Sequence, residues 1–215
     1  MKSTMGRGRR KVQDPATARR ILAAAERQFA AQGLAGARTE EIAAAAHANK
    51  AMLYYYFGNK RRLHRAVLEN LLRQLRVGVL APPAKELSPG DEFFGCVNGY
   101  FDFLATHPNY PRLVQREAME SHNDFQWMAR EYFRPLHERL ASTAKKAIDA
   151  GEFREMDADQ TAMIALGITT SYFAAASIMS DVVQRDLLAP EAVETRKRAV
   201  LDFLRHAVAR EGAQT

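Results

Sequence analysis

Residues 49–62 read Asn-Lys-Ala-Met-Leu-Tyr-Tyr-Tyr-Phe-Gly-Asn-Lys-Arg-Arg, a run rich in hydrogen-bond donors and free of carboxylates. Phenol hydroxyls, ammonium and guanidinium groups all donate to phosphate oxygens. Tyr54, Tyr55 and Tyr56 are consecutive, so on a helix they point about 100° apart and cannot all enter one core. Leu53 and Phe57, four apart, already fill the inward face. At least one tyrosine is therefore expected at the surface, its hydroxyl free for a phosphate; the alternative is that these rings pack on neighbouring helices. Lys60, Arg61 and Arg62 open the next helix, where the macrodipole disfavours cations by a few tenths of a kcal/mol per charge. A phosphate docked at that end would reverse the sign, whereas salt would only mute it.

Charge is distributed to match. The net charge is +6, and residues 1–60 hold eleven Lys/Arg against four acids, leaving the rest close to neutral. A polyanion is the partner this implies, either nucleic acid or an anionic membrane face; a merely solubilising basic end is the bland alternative.

The 215 residues are 47% hydrophobic, enough for a sizeable core. Alanine, leucine, arginine and glutamate dominate and favour helix, and Val-Ile-Thr alternation is nearly absent, so the expected fold class is all-α. Cys96 is the single cysteine, so one chain can form neither a disulfide framework nor a cysteine zinc site, which suits a reducing cytoplasm. The opening MKSTMGRGRRKVQDP has no apolar stretch of the kind a signal peptide needs. Gln160–Ser180 is uncharged, but its Gln, Thr, Ser and Ala content suits a buried interface helix better than a membrane span.

Three regions are expected: a basic tail over 1–13, a small helical domain over 14–60, and a larger one over 61–215. Asp14-Pro15 starts helix 1, which runs to about Gln32 with Ile21, Ala25 and Phe29 on one face and Gly33 as its stop. Thr39 is expected to cap helix 2, with Ile42 and Ala46 inward; His47-Ala48 form a tight turn, and Asn49 caps helix 3 to about Tyr56. Helix 4 spans about Lys60 to Leu80. Helix 5 follows Ser88-Pro89 to about Thr106, helix 6 covers about 111–121, and helix 7 roughly 124–150 with a kink at Pro135. Helix 8 runs from Asp157 to about Asp186, and helix 9 from Pro190 to near Arg210.

Two short helices joined by a tight turn and backed by helix 1 make a helix-turn-helix, whose second helix suits a DNA major groove. Here the run TEEIAAAAHANKAMLYYYF resembles the signature of the TetR family of transcriptional regulators. Thr39, Ile42, Ala43, Ala46, Leu53, Tyr54, Tyr56, Phe57, Lys60 and Leu63 stand where that pattern expects them, over about residues 17–68 without a gap. The resemblance implies a nine-helix dimer that binds a palindromic DNA operator and is released by a small apolar or amphipathic effector. It implies phosphate contacts at Thr39, Tyr54, Tyr55 and Lys60, contacts to phosphate or base edges at Asn49 and Lys50, and apolar contacts from Ala51 and Met52. Arg7 to Lys11 would add a flexible arm. Three positions depart from the pattern: His47 replaces a turn glycine and is expected at positive φ, Ala51 replaces a glycine, and Arg61-Arg62 replace an acidic pair.

In the larger domain, Ile164, Ile168, Ser171, Ala175 and Ile178 on helix 8 (158–186) and Ala192, Val193, Val200, Leu201, Leu204 and Val208 on helix 9 (190–210) suggest a homodimer interface of four helices. The alternative is that these stripes are intramolecular core. Helices 5–7 carry more rings than one packing face needs, so an adaptable effector pocket is expected, with ordinary core as the alternative. Its candidate residues are Tyr100, Phe101, Phe103, Leu104, His107, Arg116, Met119, His122, Trp127, Met128 and Tyr172. No catalytic or nucleotide-binding motif occurs, and the six histidines lack metal-ligand spacing. Neither catalysis nor a cofactor nor a metal is expected, and the rival reading is a polyanion or membrane-surface binder without sequence preference.

Overall fold

Several helix starts are fixed by a local hydrogen-bonding residue. In this computed structural model, which describes residues 14–83, 85–120 and 122–210 apart from the side chains of 122 and 123, Asp14 caps α1 (Pro15–Gly36). Its carboxylate accepts from the Ala16 and Thr17 amides and, at 2.7 Å, from the Thr17 hydroxyl. Those bonds, the Thr17 hydroxyl foremost, hold the Asp14 pKa below its ordinary value. The basic tail expected over 1–13 lies outside the described residues, as does the His122 side chain.

Gly33 interrupts α1 as expected, at φ 72° and ψ 176°, but one further turn forms before Ala37 ends the element. The second helix, α2 (Thr39–Ala45), corrects the expected cap: its N-cap is Arg38, which offers no side-chain bond, and Thr39 is its buried first residue. Glu40 and Glu41 occupy the first turn, where the helix dipole favours them. His47 adopts φ 50°, the left-handed conformation expected for a glycine's place. We predict that His47→Gly raises the head's stability by about 0.5–1 kcal/mol by relieving that strain, read as a higher midpoint in thermal or urea unfolding. An unchanged or lower midpoint would show the turn to be unstrained.

Asn49 caps α3 (Lys50–Phe57) through the Met52 amide at 2.8 Å, and Gly58 ends it at φ 78°. Asn59 then caps α4 (Lys60–Val79) through the Arg62 amide. The chain divides after Val67, inside α4, into two compact units. In the first, α1, α2 and α3 pack about Ile21, Ala25, Phe29, Ile42, Leu53 and Leu63, with the Phe29 ring edge-on to His64 at 4.7 Å.

The second unit holds α5 (Pro89–Thr106), α6 (Tyr110–Glu120), α7, α8 (Ala158–Val183) and α9 (Pro190–Val208). Helix α7 is continuous through His122–Met128, a π turn at Ala129–Phe133, and Arg134–Asp149. The π turn sits just before Pro135, which brings no N–H to the ladder, so the expected kink is absorbed as one widened turn. Asp157 caps α8 through the Gln160 amide at 2.9 Å. The later part of α7 packs on α5 and α8, and α9 packs on α5. The core between them is Phe93, Phe101, Leu104, Leu140, Phe173 and Leu204, all buried. Among the described residues every regular element is helical.

Candidate nucleic-acid interface and ligand cavity

The three tyrosines of α3 divide between the two roles open to them. Tyr56 packs: its hydroxyl accepts the Asp14 N–H at 3.0 Å and donates to the Asp14 carbonyl, tying α3 to the start of α1. Tyr54 and Tyr55 stay exposed, Tyr55 by 57%. Leu53 is fully buried and Phe57 half-buried, as an inward face requires.

Lys50, in the first turn of α3, forms an ion pair with Glu40 of α2 and sits 5.8 Å from the Tyr54 ring centre. The Lys50 contact, before any other cause, lowers the Glu40 pKa to about 2 and raises that of Lys50. Thr39 is buried; its hydroxyl donates to Glu40 at 3.2 Å and lies 3.5 Å from the Tyr54 oxygen. Asn49 spends its side-chain oxygen on the helix cap. Ala51 is exposed and Met52 half-buried. Lys60 donates to the Ala35 and Ala37 carbonyls, both at 3.1 Å, which leaves one ammonium hydrogen for another partner. The surface so formed carries Lys50, Ala51, Tyr54, Tyr55 and the exposed Arg61 and Arg62. Three supporting residues escaped sequence reasoning. Glu40 carried no site expectation, Tyr56 stood only in the tyrosine trio and the family pattern, and Arg20, whose guanidinium holds the turn through the Ala46 carbonyl at 3.1 Å, was not singled out.

Within the second unit, a cavity of about 260 Å³ opens among Tyr100 of α5, Tyr110, Val114 and Gln115 of α6, Phe125 and Phe133 of α7, and Leu166 and Thr170 of α8. Of the residues expected at an effector, Tyr100 lines it. Phe101 packs on Phe173 with ring centres 5.1 Å apart, and Leu104 and Met128 are core. Phe103 and His107 stack at 4.5 Å beside a separate groove along α4, and Tyr172 lines a third cleft with Arg185 and Arg196. Trp127 stacks edge-on with Tyr132, Arg116 pairs with Glu120, and Met119 is 86% exposed.

Helix α8 is long and apolar enough to cross a membrane, by length and composition alone. Yet Met163, Ile164, Ile178, Met179, Val182 and Val183 of α8 are exposed in the single chain, as is Phe203 of α9. Of the expected stripe on α8, Ile164, Ser171 and Ile178 are exposed, while Ile168 and Ala175 are half-buried; of that on α9, Ala192, Val193 and Leu201 are half-buried, and Val200, Leu204 and Val208 are instead core of the single chain.

Comparison with known proteins gives concordant matches. Residues 21–67 match the family described as bacterial regulatory proteins, tetR family, and residues 89–204 match the tetracyclin repressor-like C-terminal domain. The chain is 42% identical over 108 residues to the HTH-type transcriptional repressor SCO4008 of Streptomyces coelicolor; the match covers 50% of this chain and spans about half, 53%, of that relative. It is 26% identical over 158 residues to the HTH-type transcriptional repressor NicS of Pseudomonas putida, covering 74% of this chain and 71% of the relative. The crystal structure of AibR in complex with isovaleryl coenzyme A and operator DNA shares the fold, with a TM-score of 0.69 at 19% identity, covering 87% of this chain and 97% of that one.

Proposed function

The chain belongs to the TetR family of bacterial regulatory proteins, and from that premise we propose that it is a transcriptional repressor in the cytoplasm. Two copies bind a palindromic operator, and a small effector in the second unit releases them. The observation that carries the DNA reading is the outward set Lys50, Ala51, Tyr54 and Tyr55 on a helix whose other face is buried through Leu53. Tyr54 and Tyr55 hydroxyls and the remaining Lys60 hydrogen meet phosphates; Asn49 and Lys50 meet phosphate or base edges; Ala51 and Met52 touch thymine methyls. Thr39 acts through Tyr54, which it neighbours. The dimer forms through α8 and α9, whose exposed apolar side chains need a cover of their own kind. The names of the relatives, two repressors and one complex with operator DNA, support the same reading.

Selection of bound sequences from random duplex DNA tests it, with a palindrome as the expected product. Equal affinity for that palindrome and a scrambled duplex at every salt concentration would transfer the basic head to general polyanion binding.

Glu40 supplies a sharper expectation. In the free protein it holds the ammonium that a phosphate would take. Lys50→Ala should therefore weaken operator binding and lower the slope of log affinity against log salt by about 0.9. Glu40→Gln should strengthen binding to any duplex and reduce discrimination. The Glu40 pKa is depressed, so the pair is present above the ordinary carboxylate range and is lost only as pH falls through about 2. Hence the Glu40→Gln effect should be constant from about pH 5 to pH 8. A steep change in that window, measured by fluorescence anisotropy, would count against the pairing.

A further inference from the structure

The cavity among α5, α6, α7 and α8 has a lining that constrains what it can hold. None of the described residues that line it is Asp, Glu, Lys, Arg or His. A carboxylate or ammonium placed there would lose its hydration without gaining a counter-charge, which is heavily penalised. Four rings border the space: Tyr100, Tyr110, Phe125 and Phe133.

Two hydroxyls at the cavity share a hydrogen bond, Tyr100 and Thr170 at 2.9 Å. A third belongs to Tyr110. Tyr110 is 3% exposed, packs its ring edge-on to Phe103 at 5.0 Å, lines the cavity, and has no hydrogen bond among the causes of its pKa shift. Burial pushes its pKa well above the ordinary tyrosine value, with Tyr100 adding to the shift, so it remains a protonated donor at any physiological pH. A molecule that enters the cavity with an oxygen acceptor can therefore gain a hydrogen bond from this hydroxyl. Benzene fills an apolar cavity of about 150 Å³ in another protein, so about 260 Å³ suits one or two rings.

We propose that this cavity selects an uncharged, mainly apolar molecule of one or two rings that carries an oxygen acceptor for the Tyr110 hydroxyl. The inference rests on the reading that the second unit binds an effector, and it names that effector's chemistry.

The test uses three probes of matched shape on the full-length protein: tetralin, α-tetralone and tetrahydronaphthoate, titrated by calorimetry. The ketone should bind about tenfold more tightly than the hydrocarbon, the increment of one good hydrogen bond, and the carboxylate at least about a hundredfold more weakly than the ketone. Tyr110→Phe should equalise ketone and hydrocarbon without lowering the Tm. Val114→Trp, which fills the cavity from α6, should abolish both. Tight carboxylate binding, a ketone preference that survives Tyr110→Phe, or no binding by any of the three would overturn the proposal. Release of operator DNA is measured separately: a ketone that binds without releasing DNA defeats the effector reading and leaves the cavity's chemistry standing.

Discussion

A double substitution, Ile178→Glu with Phe203→Glu, is expected to leave the protein at single-chain mass and to lower operator affinity by about a hundredfold to ten-thousandfold. Ile178 is 69% and Phe203 57% exposed in the lone chain, so neither supports the protomer's own core. If α8 and α9 form a two-fold interface, each change enters it twice, and four carboxylates occupy a surface otherwise built from Met163, Ile164, Met179, Val182 and their mates. Carboxylates desolvated without partners cost several kcal/mol each, more than a standard interface of about 1,200–2,000 Å² can offset. The affinity loss follows from linkage: in a dimer the second head binds at an effective concentration in the millimolar range, an advantage of roughly 10² to 10⁴. Sedimentation equilibrium and operator titration read the two effects, and circular dichroism checks that helix content is unchanged. A variant that keeps the dimer mass would place the interface elsewhere.

What the sequence disclosed and what it withheld separate along a physical line. Helix starts with a local hydrogen-bonding signal were legible: Asp14, Asn49, Ser88 and Asp157 all cap the helices expected of them. Thr39 failed as a cap because its burial between helices, a tertiary fact, made it the first helical residue instead. The trio Tyr54–Tyr56 was legible as a conflict, since three rings 100° apart cannot share one core, but not in its resolution. That turned on Asp14, forty-two residues upstream of Tyr56, offering both a donor and an acceptor. The cavity was the least legible part. An excess of rings on α5 is a property of composition, whereas a cavity depends on how four helices are rotated about their axes. Phe101 faces Phe173 while Tyr100, its neighbour, faces Thr170; one residue of rotation separates core from cavity. Phe125, Phe133, Leu166 and Thr170 carry no signal in isolation that would distinguish them from ordinary packing.

The second large effect concerns the small unit. Phe29 is fully buried and meets His64 edge-on, so Phe29→Ala should cost about 3–5 kcal/mol through lost burial and the cavity left behind. Domains are stable by only about 5–15 kcal/mol, with small ones toward the low end. The change should therefore bring the unit ending at Val67 close to its unfolding midpoint near physiological temperature and remove operator binding. The larger unit has its own core in Phe93, Phe101, Leu104 and Leu140, and should keep both its fold and its affinity for α-tetralone. The chain supplies its own reporter, because its one tryptophan, Trp127, lies on α7 in the larger unit. In the variant, far-ultraviolet circular dichroism should show an early step that Trp127 fluorescence does not follow. Should the Trp127 transition fall by the same interval as the early step, the two units melt as one, and α4, which runs through the division at Val67, must transmit the loss. Operator binding that survives Phe29→Ala would instead mean that the head tolerates the cavity, and that its stability exceeds what a core of this size supplies.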